Sequence, residues 1–163
     1  MEVTFAPKGI LQIDNARIIY RNFTGTASKF NREGDRNFSV LIDDQAVADA
    51  LIKEGWNVKI KPPREEGETP FMHLPVKVKC NAYGPVVYLK TGEKVNKLDE
   101  DSLFCLDDIE IESADLDIRP YDWEVNGKEG RTAYLQSIEV TQRLNRFAAR
   151  YAEPSRDDEE SLW

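Results

Sequence analysis

Residues 116–141 read LDIRPYDWEVNGKEGRTAYLQSIEVT, two alternating runs around Asn126-Gly127-Lys128-Glu129-Gly130. Asn-Gly followed by a second glycine supplies the φ > 0 positions that a tight hairpin or a bulged loop needs. Two long antiparallel strands are expected here. Before the turn, Leu116, Ile118 and Pro120 fall on one face while Arg119, Tyr121 and Trp123 fall on the other. After it, Tyr134, Ile138 and Val140 alternate with Leu135 and Ser137. A strand face with an arginine and two aromatics in alternate positions is either covered by more protein or kept open for something flat and anionic. Single-stranded nucleic acid has that character, because bases stack on rings while cations hold phosphates. Core burial of Tyr121 and Trp123 under a loop or helix is the competing explanation.

Composition narrows the field. A chain of 163 residues is one domain, or one domain and a tail, and can bury a proper core. Eight prolines and nine glycines set between short β-type runs point to a mainly β architecture with few helices. No apolar run approaches membrane-spanning length and no signal-peptide pattern opens the chain, so an intracellular, cytoplasmic protein without a membrane partner is expected. Cys80 and Cys105 are too few for a disulfide scaffold or zinc cluster and read as buried free thiols. His73 is the sole histidine, and no phosphate loop, dinucleotide motif or nucleophile elbow is present. The expectation is a protein that is not an enzyme, with no metal and no cofactor.

Net charge is −8, which weighs against a nucleic-acid partner. Residues 152–163 hold five acids against one arginine, so half of that charge sits at the end of the chain. The body is still mildly acidic, and any cationic surface must be a local patch.

Along the chain, residues 1–15 read as an irregular lead-in punctuated by Pro7 and Gly9. Residues 16–23 form a first strand, with Arg17, Ile19, Arg21 and Phe23 on one face and Ala16, Ile18, Tyr20 and Asn22 on the other. A polar loop over 24–35 carries Lys29, Phe30 and Arg32, and a strand follows at 36–43. Across this unit Arg17, Arg21, Lys29, Arg32 and Arg36 interleave with Tyr20, Phe23, Phe30 and Phe38. That interleaving fits binding along a nucleic-acid strand. It equally fits aromatics in a core with bases at a solvated edge.

Asp43-Asp44 caps a helix over 45–54 that Gly55 stops, with Val47, Ala48, Leu51 and Ile52 as its buried side. Residues 56–61 are a strand with Val58 and Ile60 inward, 62–70 a surface loop, and 72–81 a strand with Val76, Val78 and Cys80 opposite Lys77 and Lys79. Lys59, Lys61, Lys77 and Lys79 make one cationic ladder if those strands pair, or simply the wet face of an antiparallel pair. Residues 86–91 are a further strand, Gly92-Glu93 a turn, and 98–106 one or two helical turns. Residues 142–152, QRLNRFAARYA, are amphipathic, with Leu144, Phe147, Ala148 and Tyr151 at helical spacing and Arg143, Arg146 and Arg150 along another side.

The final residues, PSRDDEESLW, combine an acidic run with Leu162-Trp163. A tail that only solubilises has no reason to finish on its largest apolar residue. DDEESLW, the Arg–aromatic hairpin with its AYLQSIEVT strand, and FNREGDRNFSVLIDD at 30–44 together resemble the single-stranded-DNA-binding proteins of bacteriophages and bacteria. The resemblance implies an OB-like five-stranded barrel, elaborated or permuted because the helix follows the second strand, with a C-terminal helix and acidic tail. It implies a binding domain over 1–152 and a tail over 153–163. The expected function is sequence-independent binding and protection of single-stranded DNA in phage replication or recombination, in the host bacterial cytoplasm. Nucleic-acid contacts are expected from Arg17, Tyr20, Arg21, Phe30, Arg32, Arg36, Lys59, Lys61, Lys77, Lys79, Arg119, Tyr121 and Trp123. Asp157, Asp158, Glu159, Glu160, Leu162 and Trp163 are expected to recruit replication or recombination proteins. The alternative is a phage protein-interaction module or acidic DNA mimic acting on a host enzyme.

Overall fold

Nine strands and one α-helix make up the computed structural model, which describes residues 1–147. The tail at 153–163, and residues 148–152 of the expected C-terminal helix, lie outside the described residues. In chain order the elements are β1 (Glu2–Phe5), β2 (Leu11–Asn22), β3 (Arg36–Ile42), α1 (Gln45–Lys53) and β4 (Lys59–Lys61). They continue with β5 (Phe71–Val78), β6 (Val86–Thr91), β7 (Lys94–Leu98), β8 (Ile111–Val125) and β9 (Lys128–Gln142).

Five of these strands close on themselves. β2 pairs antiparallel with β3 and with β8, β3 pairs with β5, and β8 pairs with β9. A parallel contact between β5 and β9 at Lys77↔Tyr134 completes the ring. The product is a closed, mixed, OB-like barrel. Its interior follows from strand alternation: Met72, Leu74, Val76 and Val78 point inward from β5, while Phe71, His73, Pro75 and Lys77 point outward. Leu11, Ile13, Val40, Ile42, Ile118, Leu135 and Ile138 fill the same core. Each such side chain contributes about 1.5–3 kcal/mol on full burial.

The expected hairpin is present and tighter than its glycines imply. Asn126 (φ 53°) and Gly127 (φ 78°) form the whole turn, both in the left-handed region that a two-residue type I′ connection requires. Gly130 is not part of it. It lies in β9 directly opposite Trp123, and a Cβ there would sit 2.3 Å from the indole ring. The residue is a glycine because the indole lies against its backbone.

Two elaborations decorate the barrel. α1 occupies the connection between the second and third barrel strands, β3 and β5, as its sequence position required. Asp44 caps it through a 2.8 Å bond from the Ala46 N–H, and Ala48 and Leu51 are its buried residues. The connection from β5 to β8 carries the β6–β7 hairpin, with β6 parallel to β9, and a 3₁₀ turn over Leu103–Asp107.

Several expectations require correction. Residues 1–15 are not irregular: β1 folds back on β2 around the Pro7–Gly9 turn, so the two punctuating residues mark a hairpin. The first barrel strand begins at Leu11 rather than at 16, and its alternation breaks at a bulge where Tyr20 takes φ 51°. Past that bulge Phe23 turns inward to stack on Phe38 at 5.2 Å. Only Lys59–Lys61 of the expected 56–61 strand pairs, with β5 as partner, and Ile60 is exposed. Ile52 of α1 is likewise exposed. Residues 94–98, to which the sequence analysis assigns no strand, form β7, and the helical character at 98–106 shortens to the 3₁₀ turn. Cys80 and Cys105 are free but only half-buried; burial still pushes both thiols up, which keeps them protonated at neutral pH. Gln142 ends β9 rather than opening a helix, and the Arg143 N–H bonds to the Glu110 carbonyl at 2.8 Å.

Candidate nucleic-acid interface

A groove of about 1200 Å³ runs over the outer face of β3 and β5, walled on one side by the loop at 24–35. In OB folds this face, together with the loop between strands 1 and 2 and the loop between strands 4 and 5, binds oligonucleotides. Here those loops are residues 24–35 and the β8–β9 hairpin, the two segments in which the sequence concentrates exposed aromatics and bases.

The loop at 24–35 is internally braced. The Asn31 side-chain amide donates to the carbonyls of Thr26, Arg32 and Asp35, and its oxygen accepts from Asn37 Nδ2 on β3 at 2.8 Å. Asn22 accepts from the N–H groups of Gly25 and Thr26. The Gly34 N–H closes the neck onto the Gly25 carbonyl at 2.8 Å. This bracing holds Phe30 in solvent, 91% exposed, with the Lys29 ammonium 5.7 Å from its ring centroid. A bare phenyl on a fixed loop beside a groove is a ready stacking surface, and its position costs little further ordering on binding.

Of the thirteen residues expected to touch nucleic acid, Tyr20, Phe30, Arg32, Arg36, Lys77 and Lys79 line this groove. Arg36 does so while holding the fold: its Nε donates to the Phe23 carbonyl and its Nη1 pairs with Glu100 at 3.0 Å. That pairing also masks the groove's glutamate. Arg32, Lys77 and Lys79 remain exposed.

Arg119 and Tyr121 join the groove through a residue the sequence reading left out. Tyr134 lines the groove, and on it Arg119 lies as a cation–π partner at 4.9 Å while Tyr121 meets it edge-on at 6.1 Å. Tyr121 is 56% exposed and Trp123 39%, which rules out the core explanation for both rings. Trp123 sits farther out, over Gly130, in a separate concavity edged by Asp122, Glu124 and Glu129. On the other side of that hairpin Arg131 clamps Asp122, bonds the Glu54 carbonyl and lies 5.2 Å from the Trp56 ring, tying the arm to α1. The hydrogen bond from Arg131 holds the Asp122 carboxyl below its ordinary pKa.

Arg21, Arg17, Lys59 and Lys61 are placed elsewhere. Arg21 Nη1 donates to the carbonyls of Leu106 and Ile109 at 2.6 and 2.7 Å, bracing the connection into β8. The lysine ladder does not form as one row. β4 and β5 do pair, but with Lys59 opposite His73 and Lys61 opposite Phe71. Lys77 therefore lies about 13 Å farther along β5. Arg17 falls on the outer face in the same cross-strand row, Arg17–Leu41–His73–Lys59.

Among missed residues, Tyr134, His73, Ser39 and Asn37 line the groove. A signal for Tyr134 existed in its alternation with Leu135; for His73 and Ser39, bonded at 3.0 Å across strands, only the register reveals proximity. Among the described residues no group of three or more His, Cys, Asp or Glu side chains is placed to hold a metal ion, and no helix is long and apolar enough to cross a membrane.

Solved structures similar to this chain come from bacteriophage Enc34. Its single-stranded DNA-binding protein matches with TM-score 0.53 and 16% identity, over 97% of this chain and 93% of that one. A C-terminal truncation matches with TM-score 0.57 and 14% identity, over 88% and 91%. The same protein in complex with single-stranded DNA matches with TM-score 0.52 and 15% identity, over 89% and 93%. At this identity the likeness is one of fold. No curated protein sequence matches the chain significantly. The family model described as "Putative phage ssDNA-binding domain" matches residues 2–162, and the chain belongs to that family.

Proposed function

We propose that this protein binds single-stranded DNA without sequence preference, protecting it during phage replication or recombination in the host cytoplasm. The observation that carries the reading is the groove over β3 and β5, where the exposed rings of Tyr20 and Phe30 and the half-buried ring of Tyr134 stand among exposed cations (Arg32, Lys77, Lys79). Stacking takes any base, since every base has a π-face, and the cations take phosphate; neither selects sequence. Arg119 and Tyr121 continue the path onto the β8–β9 hairpin, and Trp123 extends it toward the tip. The family to which the chain belongs supports the same function, as does the fold shared with a phage protein solved with single-stranded DNA. The binding domain is assigned to residues 1–152. Residues 153–163 are assigned, on sequence alone, to recruiting a replication or recombination protein.

The test is an anisotropy titration of labelled oligo-dT and of a duplex at two salt concentrations. Single strands bind far more tightly than duplex, with tryptophan quenching, and log K falls with log[salt] by about 0.7 per phosphate neutralised. Absence of binding to oligo-dT at low salt overturns the reading. A second reading, an acidic module that engages a host protein, draws on the outer wall bearing Asp14, Asp115, Asp117 and Glu139. It predicts unchanged partner binding after the groove lysines are removed.

A further inference from the structure

One end of the groove holds a further feature, where a ring from β2 reaches across β3 to rings on β5, beside β4. At the β2 bulge, Tyr20 adopts φ 51°, which a bulky L-residue takes only when its surroundings impose it. The bulge lifts the ring out of strand alternation and sets it edge-on to His73 (5.5 Å, 81°) and to Phe71 (6.2 Å, 62°). Phe71 and His73 touch each other at 5.5 Å, so the three rings form one cluster. Tyr20 nonetheless stays 64% exposed. Lys59 and Lys61, both exposed, stand directly opposite His73 and Phe71 on β4. In-register neighbours of antiparallel strands project from the same face, so two cations flank the open rings. The groove reaches Tyr20 and His73 from one side, and the lysine pair continues beyond them.

We propose that Tyr20, Phe71 and His73, with Lys59 and Lys61, form a distinct end station for the single strand, in which a nucleobase packs on the ring cluster and its flanking phosphates meet the two lysines. The inference rests on the single-strand reading above and extends the path past the groove to the β4 edge. Strain held at Tyr20 then has a use, since it keeps a stacking face open without reordering when DNA arrives. His73 gives the station a proton-linked signature. Its Nδ1 is within 3.0 Å of Ser39 Oγ on β3, Tyr20 faces it from β2, and the charged group facing it is Lys59 on β4. Burial, then the Lys59 charge, holds the imidazole below its ordinary pKa and so neutral at pH 7. A phosphate on Lys59 offsets that charge and raises the pKa toward its ordinary value. Bound protein therefore takes up proton, and affinity rises as pH falls.

The experiment uses the full chain and labelled oligo-dT of about 16 nucleotides, within the span OB folds cover. Phe71→Ala weakens binding roughly five- to a hundredfold, the range for losing one stacked base. Lys59→Gln/Lys61→Gln, at exposed positions, lowers the log–log salt slope by about 1.4, two single-strand phosphate contacts. His73→Phe keeps the ring but flattens the rise in affinity between about pH 7 and pH 5.5, where histidine titrates. Photocrosslinking with 5-iodouracil oligonucleotides labels the peptides containing Tyr20 or Phe71. If the wild type binds oligo-dT while the lysine double variant keeps its salt slope and no crosslink reaches either peptide, the station is wrong and the groove reading stands. If the wild type does not bind, both fall together.

Discussion

Two outer walls of the same barrel, one built on β3 and β5 and one on β2, β8, β9 and β6, carry opposite charge on similar backbones. On the first, Arg32, Lys77 and Lys79 surround open aromatic rings, and the glutamate that intrudes, Glu100, is paired with Arg36 at 3.0 Å. On the second, Asp115 stands directly opposite Glu139, with Asp14 and Asp117 beside them. Like charges in register destabilise a sheet, by amounts of the same order as the roughly 0.2–1 kcal/mol that favourable cross-strand pairs contribute. The chain therefore segregates its charge at some cost to stability. A net charge of −8 describes neither wall. Diffusing DNA meets the local potential, because fields between exposed charges fade within about 8 Å at physiological salt.

The widest separation between the walls comes from reversing charge on the groove. Lys77→Glu/Lys79→Glu is expected to weaken oligo-dT binding by roughly a hundredfold or more at physiological salt, since two phosphate contacts become repulsions. Circular dichroism melts should stay near wild type because both side chains are exposed. Comparable loss from Asp115→Lys/Glu139→Lys would mean that the comparison has the walls the wrong way round.

Ring deletions sharpen the picture next. Tyr134→Ala is expected to cost about 1–3 kcal/mol of binding if the ring carries a base, and Tyr121→Ala and Phe30→Ala a similar amount. Tyr134→Ala has the further effect of releasing Arg119, so its combination with Arg119→Ala should be less than additive in a double-mutant cycle. Additivity would separate the two residues into independent contacts.

A cation bonded inward should behave differently from those on the groove. Arg21→Ala removes a charged donor from two backbone carbonyls and is expected to lower stability by about 1.5–3 kcal/mol in urea titration. Its affinity for oligo-dT should remain within twofold of wild type. A large affinity loss without destabilisation would return Arg21 to the interface. The smallest effect belongs to the acidic wall: Glu139→Gln relieves the pairing with Asp115, whose carboxylate keeps its bond from the Asn15 N–H, and is expected to raise stability by a few tenths of a kcal/mol, with DNA affinity unchanged.

Part of the groove lining was legible as composition in place. Bases and aromatics clustered at 17–38 and 119–123, and the barrel brings the loop at 24–35 and the base of the β8–β9 hairpin to one groove. What the clusters did not reveal was which aromatic faces which way. Tyr20, Phe23, Phe30 and Phe38 look alike in the sequence, yet Phe23 and Phe38 stack in the core while Tyr20 and Phe30 stand in solvent. Between Tyr20 and Phe23 one bulged residue makes the difference, because strand alternation has period two and a single extra residue exchanges the faces of those after it, whereas Phe30 is exposed by its place in the loop at 24–35.

By itself, then, the sequence determined the elements whose causes are local: the Asn126-Gly127 turn, the Asp44-capped helix, the alternation of β5, and the exposed loop at 62–70. Backbone propensity and side-chain period act within a few residues, so they can be read from a few residues. Tertiary structure alone decided the rest. It put Lys59 opposite His73 instead of in a row with Lys77, gave Arg36 to Glu100 and Arg21 to two carbonyls, and laid Trp123 on Gly130. The Lys59 pairing depends on strand register, and the Arg36 and Arg21 contacts on where connections distant in sequence come to lie, while Trp123 meets Gly130 through the hairpin's own turn. Register is set where whole hydrophobic faces must enter one core together, a condition that no single segment contains.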